Sequence, residues 1–99
     1  MSEIEDIRHL LDQEAFKSSV RILILISLAI NDKMYFMDLC KLTGTGKGSL
    51  SNHLDLLMKS GYVTDKTVFS IAGPRRLIYI TNQGRQFYDM YIKLIGNLR

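Results

Sequence analysis

The segment GTGKGS at residues 44–49 combines glycines, a lysine and a hydroxyl in the close order that a phosphate-binding loop needs. In the Walker pattern G-x-x-x-x-G-K-[ST], glycine amides wrap the phosphates, the lysine reaches the outer phosphates and the final hydroxyl binds magnesium. Here Lys41 occupies the position of the leading glycine, and Gly48 occupies that of the final hydroxyl. Because the pattern fails at two positions, we expect no nucleotide site.

The residues around this segment predict a turn between two helices. Apolar side chains at positions 36, 39, 40 and 42 have helical spacing, whereas a phosphate-binding loop must follow a buried strand. The glycines at 44 and 46 tolerate the positive φ that tight connections need. We predict a helix-turn-helix over residues 37–60, closed by Gly61 as a left-handed cap. The core-facing stripe of its second helix is predicted on Leu50, Leu54, Leu57 and Met58.

The polar side chains of the second predicted helix face away from this stripe. At the start of a helix that follows a turn, lysine can donate to guanine, asparagine can pair with adenine, and serine can bind a base or a phosphate. Simple solvation of this face is the alternative, and the histidine suits a structural role as well as a phosphate contact. The predicted DNA contacts on this helix are Lys47, Ser49, Ser51, Asn52 and His53.

Two helices and a short strand are predicted before the helix-turn-helix. The first helix lies within residues 1–14 and begins after Ser2 as its cap. The central helix spans Phe16 to Ile30. Its β-branched residues would permit a strand, but its length and helical spacing favour a helix that is apolar nearly all round. A very short strand at residues 34–36 follows.

A hairpin and a final helix are predicted after the helix-turn-helix. The hairpin, or wing, occupies residues 62–81, and its predicted tip, Ala72–Arg76, contains two adjacent arginines. We predict that Arg75 and Arg76 contact phosphates or the minor groove of DNA, with an ordinary polar tip as the alternative. The final helix covers residues 82–98.

The final helix carries an apolar stripe that is wider than one small core can cover. Its aromatic residues recur at the helical period among aliphatic neighbours, which favours packing over base stacking. Because a chain of 99 residues buries only part of its unfolded surface, it gains from further burial in an oligomer. We predict a homodimer, to which the first helix contributes, with its interface on Phe87, Tyr88, Tyr91, Ile92, Leu94, Ile95 and Leu98.

The composition favours one small domain, residues 1–99, of the α+β class, mainly helical with a small β-hairpin. The chain is 46% hydrophobic and 23% charged, with a net charge of +3. Residues 1–14 carry five acidic side chains against Arg8 alone, so the remainder is more basic than this total. A basic body favours a polyanionic partner.

Several function classes are disfavoured by the sequence. The single cysteine, Cys40, excludes an intramolecular disulfide and a multi-cysteine zinc site, which favours the cytoplasm, and we expect this residue in the core rather than as a redox sensor. The apolar run at residues 22–30 is too short to span a bilayer, and the acidic start does not suit a signal peptide. His9 and His53 are distant and lack a nucleophile partner. We therefore expect no membrane segment, no enzyme, no cofactor and no metal.

Two segments carry a resemblance to a known family. GKGSLSNHLDLLMKSGYV resembles the recognition-helix segment of the small bacterial and archaeal winged-helix transcriptional regulators. GPRRLIYITNQGRQFYDMY resembles their wing arginine, returning strand and the start of their dimerisation helix, and a related pattern occurs at Arg21, Leu25, Ile26 and Leu28.

The resemblance covers most of residues 16–95. It implies a winged helix-turn-helix fold, a homodimer and operator binding, as in the ArsR-like and MarR-like groups. The cysteine-rich motif of the ArsR-like metal sensors is missing, so we expect no metal sensing. The implied base-reading positions are Lys47, Ser49 and Asn52, and the implied wing contacts are Arg75 and Arg76.

Three function classes therefore compete. The leading hypothesis is a homodimeric transcriptional regulator that binds a pseudo-palindromic operator in double-stranded DNA, with its second helix in the major groove and its wing on the backbone or minor groove. The runner-up is a winged-helix module that binds a protein instead of DNA, against which the polar helix face and basic wing count. A nucleotide-dependent enzyme is the third class, and the mismatches in GTGKGS disfavour it. Action as a repressor or an activator, and control by a small molecule, do not follow from the sequence.

Overall fold

The computed structural model describes residues 2–97, which form five α-helices and a three-stranded antiparallel sheet in the spatial order β1-β3-β2. This arrangement confirms the predicted α+β class, a helix-turn-helix with a hairpin wing. The helices are α1 Glu3–Leu11, α2 Ser19–Asn31, α3 Phe36–Thr43, α4 Lys47–Lys59 and α5 Asn82–Gly96, with a short 3-10 helix at Glu14–Phe16. The strands are β1 Lys33–Tyr35, β2 Val63–Ser70 and β3 Gly73–Ile80.

The central helix begins later than predicted. The prediction started at Phe16, but this residue lies in the 3-10 helix and is buried there. The side chain of Ser18 caps α2 by accepting a hydrogen bond from the amide of Arg21 at 3.4 Å. A serine in this position ends the preceding turn and starts a new helix, so α2 begins at Ser19.

One side of α2 remains in contact with solvent. Ile24, Leu25 and Leu28 are fully buried, where α2 packs against α3, α4 and β3. Leu23 and Ile30 of the same helix are exposed. The helix is therefore apolar on more of its surface than its neighbours cover.

The predicted turn between two helices is present at residues 44–46. Gly44 follows α3 in the left-handed region, with φ +68°, and its amide donates to the carbonyl of Cys40. Gly46 has φ −73° and is the N-cap of α4, so only the first of the two glycines uses a positive φ. The segment GTGKGS follows a helix, whereas a phosphate-binding loop follows a buried strand. It therefore forms a turn and the first residues of α4.

The predicted stripe of α4 faces the core. Leu50, Leu54 and Leu57 are fully buried, and Met58 packs against the same cluster. Gly61 follows α4 with φ +81°, and the amides of Gly61 and Tyr62 donate to the carbonyls of Met58 and Leu57. This left-handed cap turns the chain into β2.

The hairpin reverses earlier than predicted. β2 and β3 pair along their whole length and leave only Ile71 and Ala72 as the connection. The predicted tip, Ala72–Arg76, is therefore wrong, because residues 73–76 already pair with β2. Gly73 makes the early reversal possible, since its φ of +108° is one that other residues rarely adopt. The two arginines thus lie within a strand.

The start of α5 is joined to the end of α4. The hydroxyl of Thr81 accepts from the Gly84 amide at 3.0 Å and donates to the Gly61 carbonyl at 2.6 Å. Gly84 is buried, and a Cβ at this position would collide with the carbonyl oxygen of Tyr62. The ring of Phe87 stacks on that of Tyr62 with centroids 4.2 Å apart. These contacts fix α5 against the helix-turn-helix.

Candidate nucleic-acid interface

The N-terminal half of α4 presents a polar face to solvent. Because the leucine stripe is buried, the opposite side of the helix carries lysine, serine and asparagine side chains. The first turn of α4 contains no acidic residue. The predicted contact residues lie here as follows: Lys47, Ser49 and Asn52 are exposed, and Ser51 and His53 are half-buried.

The N-terminus of α4 offers backbone amides as well as side chains. Gly46 is the N-cap and has no side chain that could accept from the amides of the first turn. These amides and the positive end of the helix dipole favour an anion, such as a DNA phosphate. Lys47 is exposed at the same end and adds a positive charge.

A small polar cluster orients this end of α4. The hydroxyl of Thr43, at the end of α3, donates to the carbonyl of Leu39 at 2.7 Å. The hydroxyls of Thr43 and Thr45 are 3.0 Å apart. Together with the left-handed Gly44, these contacts fix the direction in which α4 leaves the turn.

A buried arginine holds His53. Arg21 is only 7% exposed, and its Nη1 lies 3.0 Å from Nδ1 of His53. A guanidinium has donors only, so Nδ1 accepts and the imidazole proton lies on Nε2. Burial, followed by the positive charge of Arg21, lowers the pKa of His53 below its ordinary value of 6.5. Sequence reasoning missed this pair, although an arginine inside the apolar run of α2 was a signal.

The two arginines of the wing lie on opposite faces of the sheet. Arg76 is half-buried, with its Nε 2.5 Å from Oδ2 of Asp65 and its guanidinium 5.1 Å from the ring centroid of Phe36. Arg75 is exposed, and its guanidinium carbon lies 3.8 Å from the ring centroid of Tyr35. Among residues 2–97, no carboxylate lies within 4.0 Å of Arg75. Arg76 is therefore neutralised, whereas the charge of Arg75 is uncompensated.

The sheet face that carries Arg75 is basic. Lys33 from β1 and Lys66 from β2 both lie over the ring of Tyr79, at 5.9 and 5.0 Å from its centroid. Each of these cations is brought to the same face by the register of the sheet. Sequence reasoning did not find this cluster, since its members come from three strands.

The tip of the wing is apolar. Phe69 is 82% exposed, and Ile71, in the connection itself, is fully exposed. No residue between Lys66 and Arg75 carries a charge. Sequence reasoning missed this surface because it placed the arginines at the tip. The signal was a pair of large apolar residues beside Gly73.

The residues predicted at a dimer interface differ in their exposure. α1 and α5 pack together, and Ile92 and Ile95 of α5 remain exposed on their outer side. Phe87, by contrast, is only 5% exposed, because its ring stacks against Phe16 and Tyr62 in the core. Tyr88, Tyr91 and Leu94 are half-buried, and Leu98 lies outside the described residues.

Further apolar side chains extend the surface around Ile92 and Ile95. Met90 of α5 is exposed, as are Ile4 and Leu11 of α1. Several exposed apolar side chains on two packed helices are typical of an interaction site.

The cysteine and the metal-ligating residues form no further site in the described part of the chain. Cys40 is buried in the core, as predicted. Within residues 2–97, no three His, Cys, Asp or Glu side chains are grouped so that they could hold a metal ion. None of the helices in this range has the length and apolar character required to cross a membrane.

Comparison with known proteins identifies the family to which the chain belongs. Residues 20–98 match the model of a family described as winged helix DNA-binding domain. This match covers the helix-turn-helix, the wing and α5. No curated protein sequence matches the chain.

Solved structures with the same fold include several regulators. The transcriptional regulator homologue protein from Pyrococcus horikoshii OT3 is 26% identical, with a TM-score of 0.80 over 97% of this chain and 92% of that one. A protein from Enterococcus faecalis V583 assigned to the MarR family of transcriptional regulators is 18% identical, with a TM-score of 0.75 over 97% and 84%. Reduced AbfR bound to DNA is 18% identical, with a TM-score of 0.72 over 96% and 67%. These likenesses show a shared fold.

Proposed function

This chain belongs to the winged helix DNA-binding domain family, and from that premise we propose that it is a transcription regulator that binds a specific double-stranded DNA site as a homodimer. In this proposal α4 enters the major groove, and the wing lies on the backbone or in the adjacent minor groove. A regulator of this kind works on DNA in the cytoplasm and carries out no catalysis.

The observation that carries the proposal is the division of α4 between a buried leucine stripe and a polar face that begins at an uncapped N-terminus. Lys47 is suited to guanine O6 and N7, and Asn52 to adenine N6 and N7. The Nε2 proton of His53, fixed by Arg21, can donate to a phosphate. A helix that served only to bind a protein would be expected to expose apolar side chains instead.

The proposed homodimer rests on the apolar surface of α1 and α5. Ile92, Ile95 and Met90 of α5 and Ile4 and Leu11 of α1 are exposed in the single chain. A two-fold axis through this surface would place two copies of α4 in successive major grooves, about 34 Å apart. A pseudo-palindromic operator follows from this symmetry. Phe87, buried beneath the surface, would support α5 from inside rather than contact the partner.

The basic sheet face supports a contact with the DNA backbone. Arg75, Lys33 and Lys66 have no carboxylate within 4.0 Å among the described residues. Each phosphate that such a charge neutralises adds about −0.9 to the slope of log K against log salt. Arg76 would brace the wing through Asp65 instead of contacting DNA.

Fluorescence polarisation with a labelled duplex that the wild type selects from a randomised pool, across a salt series, tests the proposal. We expect binding by the wild type that weakens with salt, and about tenfold or greater loss in Lys47→Ala/Asn52→Ala, since each good base contact contributes about 1–3 kcal/mol. Lys59→Ala, at the exposed far end of α4, is the matched control and should bind nearly as the wild type does. A folded wild-type dimer that binds no duplex at low salt would support the alternative, a winged-helix module that binds a protein.

A further inference from the structure

The apolar tip of the wing has no partner within the chain. Phe69 is 82% exposed and Ile71 is fully exposed, and neither belongs to the core cluster. A partner that covered both side chains would gain binding free energy, because their burial removes apolar surface from water. Their position at the end of a hairpin, where polar residues are usual, indicates a contact outside the chain.

Phe69, next to the wing tip, lies on the face of the sheet against which α4 packs. Opposite residues of an antiparallel pair share a face, and Phe69 pairs with Pro74. Val63 of β2 and Ile78 of β3 point to the same face of the sheet as Phe69, and both are buried against the helices. α4 packs against β2 on this side. Phe69 therefore extends the face of the sheet that the helices cover, but beyond their edge.

We propose that Phe69 and Ile71 enter the minor groove of the duplex bound by α4, as an apolar wedge that partly unstacks one base step. This inference rests on the proposed function. Wedges of Phe, Ile or Leu between base steps need only one or two side chains. A stable protein interface instead buries about 1,200–2,000 Å² in total, which two side chains cannot supply. The uncompensated charge of Arg75 lies four residues from Ile71, on the face of the hairpin opposite to Phe69, and in this proposal it neutralises a phosphate on that side.

The wedge predicts a class of preferred DNA sequence. Pyrimidine–purine steps such as TA and CA unstack easily, whereas A-tracts are stiff. Sites with a flexible step under each wing tip should therefore bind better than sites with an A-tract there, although no hydrogen bond reads those bases. Part of the specificity of this protein would come from DNA deformability rather than from α4.

The test compares three forms of the full chain. Phe69→Ser/Ile71→Ser removes the wedge, and Phe69→Leu/Ile71→Leu retains an apolar tip as the matched control. Both changes are at exposed positions, so thermal unfolding should show that both variants fold. The probes are duplexes of about three helical turns, selected by the wild type from a randomised pool. They carry 2-aminopurine, which fluoresces more strongly when unstacked, and a pair of end dyes that reports bending.

We expect the wild type and the leucine variant to raise 2-aminopurine fluorescence at one step per half-site and to bend the duplex. The serine variant should bind at least about tenfold more weakly and lose both signals. Equal affinity and equal bending by the serine variant would overturn the wedge and leave the proposed function standing. If the wild type selects no duplex, both fail together. A serine variant that changes from dimer to monomer would show that the tip contacts a second copy, which also overturns the wedge.

Discussion

Nη1 of Arg21 lies 3.0 Å from Nδ1 of His53 and joins the first turn of α2 to the middle of α4. The same guanidinium donates through Nε to the carbonyl of Glu14 at 2.8 Å, so one side chain connects the 3-10 helix, α2 and α4. Because a hydrogen bond to Nδ1 fixes both the tautomer and the direction of the ring, this buried contact determines what His53 presents to solvent. The position of α4 on the body therefore depends in part on Arg21.

Replacing Arg21 with methionine should destabilise the fold while roughly preserving side-chain volume. The Glu14 carbonyl and His53 Nδ1 would lose their donor in a partly buried place, which should lower the free energy of unfolding by about 1–3 kcal/mol. Urea unfolding measures the change. Arg8→Met removes the same charge from an exposed position on α1 and should change the free energy of unfolding by no more than about 0.5 kcal/mol. Equal effects of the two substitutions would contradict a specific role for Arg21.

The stability of the fold should decrease as the pH falls through 6.5. The pKa of His53 is lowered in the folded chain, by burial first and by Arg21 second, from its ordinary value of 6.5. The unfolded chain then binds this proton more readily than the folded chain does. As the pH falls from 6.5 to the folded pKa, the free energy of unfolding therefore decreases. Above pH 6.5 the contribution of His53 to the free energy of unfolding is fully present.

Urea midpoints measured across this pH range test the role of His53. His53→Gln should flatten the change near pH 6.5, whereas His9→Gln, a matched substitution on α1, should retain it. Parallel curves for the wild type and His53→Gln would show that another group is responsible.

A methyl group at Gly84 should loosen the contact between α5 and the end of α4. An alanine Cβ would collide with the Tyr62 carbonyl, so Gly84→Ala should destabilise the fold by about 1–3 kcal/mol. Gly96, at the end of the same helix, has nothing within 4 Å of an added Cβ. Gly96→Ala should therefore be neutral or stabilising by up to about 1 kcal/mol. Thermal unfolding followed by circular dichroism compares them, and a Gly84→Ala melting temperature equal to that of the wild type would disprove the close approach.

Charge on the apolar surface of α5 should prevent dimer formation. Ile92→Glu/Ile95→Glu places two carboxylates on side chains that are exposed in the single chain, so folding should be retained while the proposed interface is lost. Light scattering after size exclusion should change from the mass of a dimer to that of a monomer. Gln86→Glu, at an exposed polar position of α5, is the control and should remain dimeric. A variant that stays dimeric would place the interface elsewhere.

Much of the helix-turn-helix followed from local patterns in the sequence. Leu50, Leu54 and Leu57 recur at a helical period because one side of α4 must be buried, and that spacing predicted both the stripe and the polar face opposite to it. Gly44 and Gly61 marked the helix ends, since each adopts a left-handed conformation that other residues avoid. Signals of this kind involve residues within a turn or two of one another, and for that reason they can be recognised without a tertiary structure.

Only the tertiary structure decided features that depend on residues distant in the chain. The strand register put Arg75 and Arg76 inside β3 and left Phe69 and Ile71 at the tip, because pairing with β2 determines where the hairpin reverses. Packing against Phe16 and Tyr62 buried Phe87, although its helical period matches that of the exposed Ile95. The contact of Arg21 with His53 spans 32 positions. The sequence by itself determined the order of the elements and the polar face of α4, because periodicity is local, whereas the wing tip, the core partner of Phe87 and the setting of His53 arise only when separate elements pack together.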